Sequence, residues 1–457
     1  MAIMLPVKKN HATLQIKEEP VEVSERVWTL PFIGLTIFLG IYYLSPEDFV
    51  PGLEGIPFAK AIAIATCIVA IKDNLSNGRP WFVLTKEIKL FLALCAIMIV
   101  GIPFSAWPGG STELFTTQIV RLMMLMLLFG NCLQAPRQIT ILVRCIVVFG
   151  TVIATVSFYH YLTGQLDNHG RLIGYGSKEY ENPNDLSLGL LTLIPLAAAL
   201  YAQEHQSVIV RICYAMTIGL MVAVILLSLS RTGMVGLAFL AGLSLLKMGK
   251  RNLAKALVVC MVVVMTVVVV MQVSPTIADR ADSIFDSDKD ESGSKAERLS
   301  QMSDGITLAV DHPVLGVGLG MSVVAIAAMH NNAANRWVKI HNTYILIATE
   351  LGIPGLVLFL SMVMSSIRNL KTIGAFRLHE ESMSGSGNGL AEGLRRALLV
   401  FMVTASFSPV AYNFFLYILL GLSGALLSVV RKLEECGASC VSSQSLSCQS
   451  RMPAARI

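Results

Sequence analysis

Uninterrupted apolar runs recur from one end of this 457-residue chain to the other. Most are about 17–25 residues long, the length a helix needs to cross a hydrocarbon core of roughly 30 Å. Composition agrees: 54% of residues are hydrophobic and 14% charged, against about 25% charged in a soluble domain. The expected fold is all-α and polytopic, with about twelve transmembrane helices, over 28–44, 56–71, 89–106, 115–132, 138–162, 186–203, 208–228, 232–247, 253–272, 342–366, 394–410 and 412–430. The net charge of +5 comes from Lys and Arg spread over loops, as orientation signals are, and not from a basic patch for nucleic acid.

Loop charge orients the bundle. If the N-terminus is cytoplasmic, the inside set includes Lys72, Arg79, Lys86, Lys89, Arg137, Lys247, Lys250, Arg251, Lys255, Arg368, Lys371, Arg377, Arg395, Arg396, Arg431 and Lys432, while 45–55 and 107–114 hold no Lys or Arg. That is the positive-inside asymmetry. The chain then divides into a cytoplasmic arm (1–27), spans one to nine (28–272), a large loop on the outer face (273–340), spans ten to twelve (341–432) and a disordered cytoplasmic tail (433–457). The polar first 27 residues show no cleavable signal peptide, so the first span is expected to be a retained anchor. No cysteine falls in an outer loop on this map, so no disulfide is required. Cys436 and Cys440 read as a reduced pair, not a metal site, because no His accompanies them. Within the outer loop, 296–310 has helical spacing and is expected to lie over the membrane face. Residues 375–392, rich in Ser and Gly, read as a linker.

Candidate chemistry gathers at the outer face. His341 stands where the large loop enters the tenth span. Partial positive charge at that helix start favours a neutral imidazole, able to act as a general base, and also attracts phosphate; an interfacial structural hydrogen bond is the competing explanation. Arg171, Arg231 and Arg298 map to the same face. Arg231 lies in a turn of a few residues between two spans, an unfavourable place for an Arg unless it meets water, headgroup or an anion. A guanidinium fork binds two phosphate oxygens at once; snorkelling to headgroups is the alternative. Asn182-Pro183-Asn184-Asp185 is turn and cap chemistry before the sixth span, with or without a substrate contact. Arg121 and Glu350 lie inside spans and could pair with each other. Glu350 is nine residues from His341, on the opposite helix face, and so is not its catalytic partner. Gly352 and Pro354 should bend the tenth span. Asp286, Asp288, Asp290 and Glu297 echo a calcium loop, but Glu291 stands where the turn needs Gly. No metal site, cofactor site, P-loop or dinucleotide fingerprint is found.

These residues resemble the O-antigen ligase and O-antigen polymerase superfamily of bacterial inner-membrane glycan transferases. The strongest match is His341-Asn342, nine residues, then Gly352-Ile353-Pro354-Gly355. Ser230-Arg231-Thr232-Gly233, the Asn182–Asp185 turn, and Arg298 followed by His312–Gly320 support it, over roughly 28–432. The resemblance implies an all-helical fold similar to C-type glycosyltransferases in the inner membrane, with both termini cytoplasmic. It implies transfer of a glycan from undecaprenyl diphosphate to a hydroxyl of an acceptor glycan or glycolipid at the periplasmic face, without cofactor or metal. By position, His341 is the implied base and Arg171, Arg231 and Arg298 the diphosphate contacts, with Asn342, Glu350, Gly352 and Asn184 in supporting places. Ligase, polymerase and protein-glycosylating members are not separated by these motifs. The rival class is a transporter or flippase of lipid-linked sugar, but transporters often show internal repeats and paired broken helices, and no repeat is seen. A subunit of a polysaccharide export machine is a third reading.

Overall fold

The computed structural model describes residues 27–46, 58–166, 171–172, 174, 180, 182–203, 206–246, 294–331, 337–376 and 386–449. The expected ninth span (253–272), the acidic calcium-like run at 286–290 and the first 26 residues lie outside them. Among the described residues the regular structure is helical: α1 Leu30–Leu44, α2 Phe58–Ser76, α3 Lys86–Gly101, α4 Pro108–Leu114, α5 Val120–Cys132, α6 Pro136–Leu162, α7 Pro183–Tyr201, α8 Val208–Leu227, α9 Arg231–Leu246, α10 Ser294–Asp311, α11 Ser322–Met329, α12 Thr343–Phe376, α13 Ser386–Ala405 and α14 Phe414–Gln449. A wider π turn at Phe115–Ile119 joins α4 to α5, making one rod of Pro108–Cys132.

Local chemistry sets the starts. Thr85 caps α3 by accepting from Ile88 N at 3.3 Å, Ser207 caps α8 through Val210 N at 3.4 Å, and Asn182 caps α7 through Asn184 N at 2.9 Å, with Pro183 as the first helical residue. Each satisfies a backbone donor that the helix itself cannot.

Among the described residues, seven helical segments are long and apolar enough to cross a membrane: Lys86–Phe104, Pro108–Cys132, Pro136–Leu162, Pro183–Tyr201, Val208–Leu227, Thr343–Ile373 and Phe414–Glu434. Two shorter apolar helices, α1 and α9, coincide with further expected spans. α2 and α13 stand where spans were expected but carry Lys60, Lys72, Asp73 and Glu392, Arg395, Arg396. α7 and α14 are the inner helices, with 78% of their spanning residues buried; α8 is peripheral at 17%, an apolar surface left for lipid. α14 continues to Gln449, into the segment expected to be a loose tail, and α13 begins at Ser386, inside the expected linker.

Hydrogen bonds sort the helix ends into two sets. At one end Gln138 donates to Val27 O (2.9 Å) and Asn74 to Asn131 Oδ1 (2.9 Å), so the starts of α1 and α6 and the ends of α2 and α5 lie together. At the other end Ala106 N donates to Val317 O (2.8 Å) and Gln118 to Tyr412 O (3.0 Å), while Tyr43 stacks edge-on against Phe414. The end of α1, the turn after α3, the loop before α11 and the start of α14 therefore share the second end, called the site end below. Trp28 and Trp81 sit at the first end and Trp107 and Trp337 at the site end, all exposed. Amphipathic indoles at both ends are what a bilayer-spanning bundle places at headgroup level.

α12 is broken where the sequence predicts. Gly352 has φ 68° and ψ −176°, outside the reach of ordinary L-residues. The freed backbone groups find partners in the glycine-rich loop 312–320: Val317 N donates to Thr349 O (2.8 Å), Gly318 N to Glu350 O (3.1 Å), and Ile353 N to Pro313 O (2.8 Å). Gly316, also at φ 68°, packs against the Glu350 backbone, where a Cβ would collide. The break thus becomes a dock that fixes the loop, and with it α10, over the start of α12.

Candidate active site

The start of α12 is held from three sides. Asn342 caps it, its Oδ1 accepting from Tyr344 N (2.9 Å) and Ile345 N (3.1 Å) while its Nδ2 donates to Ser406 O (3.1 Å). The Thr343 hydroxyl donates to Ser408 O at 2.6 Å and accepts from Val410 N at 2.9 Å. α10 presses down on the third side. The Thr349 hydroxyl lies 2.8 Å from Gly305 O, and a Cβ on Gly305 would come within 2.7 Å of Ile340. His330, just past α11, contacts Asp304 of α10 at 3.0 Å.

Between α10 and the extended stretch before α12 lies a cavity of about 330 Å³ lined by Glu297, Arg298, Gln301, Val338, Lys339 and His341. In this stretch Ile340 is fully buried and Lys339 exposed, with His341 half-buried beside them. Lys339 and His341 both line this cavity, as do Glu297, Arg298 and Gln301 of α10. Burial lowers the His341 pKa from its ordinary 6.5, and Arg298 and then Lys339 lower it further, against an opposing pull from Glu297. The imidazole is therefore neutral at physiological pH, an acceptor in a cavity with two cations. Lys339 also acts electrostatically on Asp185, in the first turn of α7.

A second polar cluster at the same end contains the other sequence-marked residues. The Ser230 hydroxyl donates to Asn184 Oδ1 at 2.6 Å and accepts from Gly233 N at 3.1 Å. The Thr232 and Ser408 hydroxyls are 3.4 Å apart, and Ser408 is the residue whose carbonyl holds Thr343. The Asn182–Asp185 turn, the start of α9 and the start of α12 are thus one hydrogen-bonded unit, with half-buried Arg231 set in its middle.

Of the sequence-predicted residues, His341 and Arg298 line the same cavity. Arg231 and Asn184 belong to the neighbouring cluster, and Asn342 is the helix cap. Arg171 is half-buried beside the fully buried Leu172, in the segment between α6 and α7 at the site end, and is not part of the cavity wall. Gly352 is the break. Glu350, 2% exposed, accepts from Ser322 Oγ (2.7 Å) and Tyr412 OH (2.8 Å) and from the backbone of Gly320 and Ser322. The suggested pairing with Arg121 is corrected: that guanidinium stands over the Tyr42 ring at 5.5 Å, and Glu350 instead ties the start of α11 to α12. Sequence reasoning missed Lys339 and Gln301. The signals were Lys339 two places before His341 and Gln301 one helical turn after Arg298.

Among the described residues no group of three or more His, Cys, Asp or Glu is placed to hold a metal ion. No curated protein matches the chain. Residues 216–360 match the model of the family described as O-Antigen ligase, a segment that contains Arg231, Arg298, His341 and the break at Gly352. In a chain with membrane-length helices, this match supports membership of the O-antigen ligase superfamily.

Proposed function

We propose that the protein transfers a glycan from undecaprenyl diphosphate to an acceptor hydroxyl at the periplasmic face of the bacterial inner membrane, with His341 as general base. The observation that carries this reading is a half-buried His341 imidazole, its pKa lowered by burial, in a cavity whose other walls include Arg298 and Lys339. The cations receive the diphosphate. As the acceptor oxygen attacks the anomeric carbon, His341 takes the hydroxyl proton. The bond from that carbon to the diphosphate oxygen breaks, and the leaving diphosphate keeps the electron pair. Negative charge grows on the leaving group during this step, and fixed cations in a partly desolvated site offset it. Arg231 and Arg171 are proposed as further diphosphate contacts at the same end. Bound diphosphate also shields His341 from Arg298 and Lys339, so binding of the donor makes the imidazole a stronger base when it is needed.

The test uses purified protein in lipid vesicles with lipid-linked glycan and a hydroxyl acceptor. Undecaprenyl diphosphate should be released in step with glycan appearing on the acceptor. Movement of intact lipid-linked glycan across the bilayer with no release would instead support a transporter.

A further inference from the structure

Gln301 is 3% exposed and lines the same cavity as Arg298 and His341. It lies one helical turn beyond Arg298 on α10, on the same face. Its carboxamide oxygen is buried and has no hydrogen-bond partner. Buried polar groups are nearly always satisfied, and one that is not calls for an explanation. Here the explanation is in the cavity. Because Gln301 lines that space, a rotation of its terminal carboxamide would bring the oxygen to it, where a ligand can supply the missing donor.

The partner's chemistry follows from what the oxygen can accept. A diphosphate diester has no donor at neutral pH, and its oxygens are already matched by Arg298 and Lys339. Gln301 stands one helical turn from Arg298, proposed above to hold the diphosphate, so the donor group nearest to it belongs to the sugar next to the phosphates, which offers a hydroxyl or an N-acyl N–H. We infer that Gln301 is a specificity-determining residue that hydrogen-bonds a hydroxyl or amide N–H of the sugar attached to the diphosphate. The inference rests on the glycan-transfer reading above and adds to it a contact to sugar that is separate from the contacts to phosphate.

The experiment compares Gln301→Met, which keeps length and apolar volume, with the parent protein in vesicles. Three quantities are measured: binding of sugar-free undecaprenyl diphosphate, kcat/KM for transfer from lipid-linked glycan, and melting temperature without substrate. Sugar-free lipid should bind equally to both. Transfer should fall about tenfold, mainly through KM, as loss of one hydrogen bond to a neutral group implies. The melting temperature should stay level or rise, because the unsatisfied acceptor is gone. Unchanged transfer would overturn the inference, as would equal weakening toward the sugar-free lipid or a melting loss that accounts for the activity loss. His341→Ala is run alongside. If it is inactive while Gln301→Met is normal, only the Gln301 role falls. If His341→Ala transfers normally, the base reading falls and the inference goes with it.

Discussion

Burial does most to lower the His341 pKa, and adjacent residues of α10 then pull it in opposite directions. Arg298 lowers its pKa and Glu297 raises it. Arg298→Gln should therefore move the acidic limb of the kcat/KM–pH profile up toward the ordinary 6.5, while Glu297→Gln should move it down; a common shift for both would contradict the assignment. Arg298→Gln should also lower the maximal rate by about 10²-fold, since the proposed contact to developing charge would be lost. Because bound diphosphate offsets the cations, the acidic limb of kcat should lie at higher pH than that of kcat/KM. Linkage gives the same sign for stability. A depressed folded pKa means the unfolded chain binds the proton more readily, so His341 weakens the fold as pH falls below about 6.5. His341 and Arg298 were legible because they stand in motifs or at a loop–span join. Lys339 and Gln301 were not, since their roles depend on α10 folding back over the start of α12.

The break in α12 is the element that organises the rest. Gly352 carries a positive φ, and a Cβ there would come within 2.5 Å of Val314 O. Gly352→Ala should cost about 2 kcal/mol or more and loosen loop 312–320, seen as a lower melting temperature and faster hydrogen exchange at Val317 and Gly318. Glu350→Ala removes the acceptor for two hydroxyls and two backbone donors, all in a buried place. It should cost about 3 kcal/mol, while Glu350→Gln, which keeps one acceptor, should cost less; equal melting of all three proteins would rule out the anchor. The bend could be read from Gly352 and Pro354 because it is a local backbone effect. The partners of Glu350 could not, because they lie 28 and 62 residues away and no helical period points to them. The pairing with Arg121 failed for the same reason: the position of that side chain depends on where α1 places Tyr42.

At the scale of the whole molecule, apolar run length was enough to read an all-helical membrane protein. It was less able to mark which helices span, since α2 and α13 combine apolar faces with charged ends and α1 and α9 are short. The four tryptophans supply an independent check. Each kept alone in a variant should be quenched by bromine placed shallow in the acyl chains and only weakly by bromine near the bilayer centre; strong deep quenching of Trp107 or Trp337 would misplace the site end. That end draws the Asn182–Asp185 turn, the start of α9, the end of α13 and the start of α12 into one place, where residues far apart in sequence would serve the proposed reaction. The direct test of that reaction is complementation of a gene deletion with His341→Ala, its insertion verified by protease protection. The account predicts no mature glycan and a build-up of lipid-linked glycan. Mature glycan at the parent level would contradict it.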